Sequence, residues 1–140
     1  MPLPRTIECE LMIIGTGMAG SAAALFAANR GVSVVQVGMT SEIIFASGLL
    51  DLMGVHPIHK KRVWDDPWAA IDALVKDIPG HPYAKLSKQD IRHAFDELLS
   101  FFSAAGIEYA SYNNQNVNTI TSVGTVKPTF CNPISAWISG

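Results

Sequence analysis

Leu11-Met12-Ile13-Ile14-Gly15-Thr16-Gly17-Met18-Ala19-Gly20 runs an apolar, β-like segment straight into a glycine-spaced turn and an alanine-rich stretch. A strand, a glycine turn and a helix start in that order form the usual seat for the phosphates of a dinucleotide. Each glycine has its own reason. Gly15 permits a tight turn out of the strand. Gly17, without a Cβ, lets a pyrophosphate approach the backbone. Gly20 lets the helix lie close on the strand. The helix N-terminus, through the N–H groups of Met18 and Ala19, offers free donors and partial positive charge.

The spacing alone is weak evidence, but its surroundings strengthen it. Val32-Ser33-Val34-Val35-Gln36-Val37 supplies a second β-like run after a helix-length gap, and Asn29-Arg30-Gly31 lies between as a helix end. Residues 9 to 37 therefore read as one β-α-β unit. The same stretch also reads as a membrane span, because Leu11 to Ala28 carries no charge and meets the ~18-residue threshold. Three glycines at fingerprint spacing interrupt it, however, and Glu8 and Glu10 stand where a signal peptide wants positive charge. The helical part, about Met18 to Arg30, is too short to span. Buried parallel strands are themselves continuously apolar.

The length predicts one domain with a real core. Hydrophobic residues make up 49% and charged residues 16%, an apolar balance that implies surface to be covered by something else. A net charge of -2 gives no electrostatic case for nucleic acid or acidic membranes. Cys9 and Cys131 form neither a metal spacing nor a disulfide framework. Cys9 reads as a small core residue, and a reducing cytoplasm is the simplest compartment.

Further along, Gly38-Met39-Thr40-Ser41 is a loop at the carboxyl end of a parallel strand, the edge where ligands of such sheets bind. Small residues at 46 to 48 leave room for a ligand near the backbone, or make an ordinary turn. His56 to Arg62 reads as a surface connection, with His56 and His59 as surface histidines rather than metal ligands. Asp65-Asp66-Pro67 starts a helix, striped by Ile71, Leu74, Val75 and Ile78 and ended by Pro79-Gly80. His81-Pro82-Tyr83 is extended. Ser87 with Asp90 opens another helix through a capping box. Ile91, Phe95, Leu98, Leu99 and Phe102 mark its apolar face, and Gly106 closes it. Ile107 to Tyr112 reads as a strand. Val117 to Ser122 and Gly124 to Phe130 read as an antiparallel pair, with Pro128 at an edge.

The nucleotide half of the fingerprint departs from pattern. The acidic residue that binds the adenosine ribose would fall on Gly38, which has no side chain to do so. No arginine follows for a 2′-phosphate. A nicotinamide cofactor is thereby disfavoured. A flavin dinucleotide held through its pyrophosphate is compatible, with Thr40 or Ser41 as weak substitutes at the ribose and Glu42 close but displaced.

Several local matches then agree in order. They are Gly15 to Gly20, Phe45-Ala46-Ser47-Gly48-Leu49-Leu50-Asp51-Leu52, His81-Pro82-Tyr83, and Ser122-Val123-Gly124-Thr125-Val126-Lys127-Pro128-Thr129. Across nearly its whole length the chain resembles the N-terminal part of the B subunit of anaerobic glycerol-3-phosphate dehydrogenase. That family shares the Ser-Gly-x-Leu-Asp-Leu run, the His-Pro-Tyr and the Gly-Thr hairpin, and it too lacks the acidic residue at the place of Gly38. The resemblance implies a flavin-dependent oxidoreductase subunit using FAD or FMN. It implies A and iron–sulfur C subunits as partners at the cytoplasmic face of the membrane. It implies oxidation of glycerol 3-phosphate to dihydroxyacetone phosphate, with electrons passed towards quinone. Family members are considerably longer than this chain, so the strand that would complete the nucleotide sheet would be missing.

The expected fold is α/β: a Rossmann-like FAD/NAD(P)-binding β-α-β with a parallel sheet, further helices and a C-terminal antiparallel hairpin, incomplete as it stands. Residues 1–112 are read as the flavin-dinucleotide-binding region and 113–140 as the start of a substrate or cap region. The expected cofactor contacts are Gly15, Thr16, Gly17, Met18, Ala19, Gly20, Gly38 and Thr40, with Ser47 and Gly48 on the flavin side. No catalytic acid or base and no metal ligand is named. An open edge at Leu11 to Ile14 predicts an oligomer, or a fragment that retains flavin poorly. The rival readings are a non-catalytic assembly subunit whose nucleotide fold is structural, and a nicotinamide-dependent dehydrogenase domain.

Overall fold

The computed structural model describes residues 6–39, 47–121 and 123–136. Its contacts divide the chain into two compact units, Met1–Ala46 and Ser47–Gly140. The expected line at 112/113 falls within the second unit.

The first unit is a β-α-β. Strand β1 (Leu11–Ile14) pairs in parallel with β2 (Val34–Val37), Leu11 opposite Val34 and Ile14 opposite Val37. Helix α1 (Met18–Asn29) connects them. It ends where Gly31 takes φ +76°, with Gly31 N–H donating to Ala28 and Val32 N–H to Ala27. These two bonds satisfy the last carbonyls in a Schellman motif. The β2 run is shorter than its sequence suggests, because Ser33 N–H turns instead to the Glu10 carboxylate at 2.8 Å. Cys9, expected in the core, is only half-buried; Cys131 is the core cysteine.

The second unit packs two helices against two antiparallel ribbons. Asp66 caps α2 (Pro67–Asp77), its carboxylate accepting from Trp68 and Ala69 N–H, with Pro67 at the first helical position. Ile71 and Leu74 of the expected stripe are buried, whereas Ile78 is exposed beyond the helix end. Ser87 and Asp90 form the expected capping box on α3 (Lys88–Ala104). Gly106, at φ +78°, closes that helix in a second Schellman motif through Ile107 N–H to Phe102. His81 is extended as its proline neighbour requires, but Pro82–Lys85 winds into a 3-10 turn capped by the His81 ring.

Strand β3 (Tyr109–Ser111) does not extend a parallel sheet. Its partner, antiparallel to it, is the last strand, Cys131–Pro133. A two-residue turn at Asn113-Asn114, both at positive φ, follows β3; this is the geometry that hairpin turns favour. Strand β4 (Val117–Ile120) pairs antiparallel with β5 (Val126–Thr129), as expected, and Cys131–Pro133 is then β6. The core of this unit comprises Leu50, Leu52, Trp68, Ala70, Ile71, Leu74, Ile91, Phe130 and Cys131. Phe130 stands edge-on to both Trp68 and Phe95.

His56 corrects an expectation. It is buried, its Nε2 lies 2.9 Å from the Asp77 carboxylate, and its carbonyl accepts from the Trp64 indole. A polar run in sequence reads as surface, but a bridge between Val55 and Val63 folds the run back, and this turns His56 inward.

Candidate functional site: a glycine turn between strand and helix

The turn is held from both sides by β2. Gly15 N–H donates to the Val37 carbonyl at 2.8 Å. The Gln36 side-chain amide donates to the Gly15 carbonyl at 2.8 Å and reaches the Ser21 hydroxyl at 3.4 Å. Gly15 has φ +122°, a backbone region that other residues rarely enter. A Cβ on Gly20 would overlap the Gly15 carbonyl oxygen and lie 3.1 Å from the Gly15 carbonyl carbon. The third glycine is therefore required by helix-on-turn packing.

Gly17 is the N-cap residue of α1 at φ -73°, ψ 177°, and no side chain caps the helix. The first intrahelical acceptor is Gly17 itself, bonded by Ser21 N–H at 3.0 Å. The amides of Met18, Ala19 and Gly20 are thus the orphan donors of this helix start. A cradle of this kind, lined by backbone N–H groups where side chains are missing, fits a diphosphate.

Thr16 and Gly38 meet at the other rim. The Thr16 hydroxyl donates to the Met39 carbonyl. A Cβ on Gly38 would lie 3.0 Å from Thr16 N and Cγ2 and 3.1 Å from its hydroxyl oxygen. A carboxylate-bearing side chain would press on the turn itself, which gives the absent acidic residue a steric reason. Thr40, with Ser41 and Glu42, lies outside the described residues.

Ser47 and Gly48 belong to the second unit. The Ser47 hydroxyl accepts from Leu49 N–H at 3.3 Å, and the Gly48 carbonyl accepts from the Tyr109 hydroxyl at 2.8 Å. Gly48 has φ +73°, and a Cβ there would lie 3.3 Å from Pro133 Cγ. The run that follows acts as a hub. Leu50 exchanges backbone bonds with Cys131, the Leu52 carbonyl accepts from the Tyr83 hydroxyl at 3.2 Å, and Asp51 pairs with Lys127. Two stretches that are well separated in sequence, at Tyr83 and at Lys127–Cys131, thus converge on one strip of chain.

Gln36 is the site residue that sequence reasoning passed over. Its signal was available: a lone amide in an otherwise apolar strand needs a partner, and the partner is the turn.

With this geometry in hand, comparison with known proteins places the chain in a class. Residues 10–139 match the family described as FAD binding domain, and the chain belongs to that family. FAD is the cofactor the family indicates, and an oxidoreductase-like flavoprotein is the class that results. More particularly, the chain is similar to two relatives. It is 32% identical over 86% of its length to the B subunit of the anaerobic glycerol-3-phosphate dehydrogenase of Aliivibrio fischeri (strain MJ11). It is 36% identical over 93% of its length to the probable B subunit of the corresponding dehydrogenase of Halobacterium salinarum (strain ATCC 29341 / DSM 671 / R1). It spans 27% of the first relative and 29% of the second. No solved structure matches it.

Proposed function

We propose that this chain is the flavin-dinucleotide-binding portion of an oxidoreductase subunit acting on glycerol 3-phosphate. Two electrons and two protons leave the secondary alcohol to give dihydroxyacetone phosphate, and the electrons pass towards quinone. FAD, when bound, supplies the hydride- and electron-transfer chemistry. The residues of this chain bind and orient it. Met18 and Ala19 N–H hold the diphosphate, Gly15 and Gly20 shape the turn, and Thr16 fixes the rim against Gly38. Ser47 and Gly48 remain the proposed flavin-side positions. The partners would be an A subunit and an iron–sulfur C subunit at the cytoplasmic face of the membrane. Among the described residues, no helix is long and apolar enough to cross a membrane.

The observation that carries this reading is the start of α1, where the N-cap is Gly17 and no side chain caps the helix. Gly17→Val tests it. Gly17 sits at a negative φ that any residue tolerates, so valine places bulk at the diphosphate without straining the backbone. Flavin absorbance per protein should fall severely while the far-ultraviolet circular dichroism is kept. Unchanged flavin content would move the cofactor elsewhere.

A structural, non-catalytic role is favoured by one observation, the glycine at position 38 with its steric support from Thr16. Flavin content of the subunit alone and in complex separates the two readings.

A further inference from the structure

The peptide that joins Gly48 to Leu49 is held at both ends by side chains. Its carbonyl accepts from the Tyr109 hydroxyl at 2.8 Å, and its N–H donates to the Ser47 hydroxyl oxygen at 3.3 Å. Tyr109 stands 61 positions from Gly48, so the first of these bonds exists only in the folded chain.

This peptide needs holding because of its glycine. Glycine enters positive and negative φ about equally readily, so nothing in the residue itself fixes how its carbonyl points. Gly48 has φ +73°, where a Cβ would be strained and also tight against Pro133 Cγ at 3.3 Å. The chain thus keeps its most permissive residue here and fixes the carbonyl from outside.

Tyr109 is well placed to do so. Its ring stacks on Phe102 of α3, with centroids 5.3 Å apart and planes at 18°. Its backbone pairs with Pro133 of β6. Burial holds its hydroxyl above the ordinary 10.0, so at neutral pH it keeps its proton and donates.

Ser47 is the other end of the line. A serine hydroxyl carries one donor and two acceptor lone pairs. Leu49 N–H uses one lone pair, and Ser47 is exposed. Its O–H is therefore available to an acceptor outside the protein. Hydrogen bonds linked through one peptide in this way polarise one another.

We infer that Tyr109 is a positioning residue for the flavin. Through the Gly48–Leu49 peptide it sets how Ser47 presents its hydroxyl to an acceptor atom of the isoalloxazine. This rests on the proposed flavin-side placing of Ser47 and Gly48, and it adds a residue from β3 that touches no cofactor itself.

Tyr109→Phe removes one oxygen and keeps the ring on Phe102. Tyr83→Phe is the matched control, because it removes a similar hydroxyl-to-carbonyl bond at Leu52, the other end of the same strip. The full 140-residue chain is titrated with FAD and followed by visible absorbance, and thermal midpoints are read without FAD. Both variants should lower the midpoint. Tyr109→Phe alone should weaken FAD binding, by about fivefold for one hydrogen bond, and should displace the absorbance bands of the bound flavin. Ser47→Ala should have a similar effect, and the double variant should add little to either, since both act through one peptide. Unchanged affinity and bands in Tyr109→Phe overturn the inference and leave the flavin reading standing. Equal losses in Tyr109→Phe and Tyr83→Phe reduce Tyr109 to a structural role and overturn it too. Absence of saturable FAD binding by the wild type overturns the flavin reading and this inference with it. Should Tyr109→Phe fail to fold, Ser47→Ala decides: wild-type affinity and bands there overturn the inference.

Discussion

Gly38 shows how a single position carries two readings. In sequence it is a missing ribose ligand; in space its α-carbon backs onto Thr16 so closely that a side chain would be tight and Thr16 would have to give by a few tenths of an ångström. Gly20 makes the same point more strongly. Gly20→Ala should overpack the helix against the Gly15 carbonyl and cost about 1–3 kcal/mol, read as a lowered thermal midpoint. Its effect on the fold contrasts with that of Gly17→Val, which should spare stability and cost flavin. Cys131 supplies a chemical prediction. Burial pushes its thiol up to about 11 from an ordinary 9.0, so it is protonated at neutral pH and a poor nucleophile. Its folded pKa is raised, so the associated stabilisation is present below 9.0 and is lost as pH rises through about 11. In the native chain at neutral pH, iodoacetamide followed by mass spectrometry should modify the half-buried Cys9 and spare Cys131. Equal labelling of both would contradict the burial of Cys131.

The helices are where local chemistry speaks most clearly. Asp66 with Pro67, Ser87 with Asp90, and the closing glycines 31 and 106 all sit where capping rules put them. Asp66→Ala should cost about 1 kcal/mol of unfolding free energy, measured by denaturant titration. Asp90 adds a pH dependence. Hydrogen bonds from Ser87 hold its carboxyl below the usual 3.8. Because the folded value is lowered, the capping contribution is present above 3.8 and is lost as pH falls through the folded value. The melting difference between the wild type and Asp90→Asn should therefore shrink in acid. The strands were less legible. Val117–Ile120 with Val126–Thr129 is a local pair, and its composition shows it. Strand β6 is three residues ending in proline, and it becomes a strand because distant Tyr109–Ser111 and Leu50 pair with it. No local propensity encodes such a pairing.

At the scale of the whole molecule, the main fact is apolar surface on the nucleotide unit. β1 pairs with β2 alone among the described strands, and Met12 and Ile14, which share a face, are 58% and 80% exposed. α1 is apolar along its length, yet none of its residues is fully buried. An open strand edge beside such a surface recruits partners or self-associates. The 140-residue chain should elute from size exclusion larger than a monomer, and Ile14→Lys should shift it towards monomer. A sharp monomer peak for the wild type, insensitive to concentration, would mean that this surface is covered some other way.

Local chemistry was enough to read the strand–glycine–helix entry, both helix caps and the β4–β5 hairpin. Each depends on backbone geometry and hydrogen bonds among residues near one another in the chain. Tertiary structure alone decided that His56 turns inward to Asp77 and that Cys131 rather than Cys9 is core. It also brought Asp51, Leu52, Tyr83 and Lys127 together on one strip, and Trp68 beside Arg92. Those contacts join positions far apart in sequence. Their energies come from excluding water and pairing buried polar groups, conditions that exist only once the chain has closed on itself.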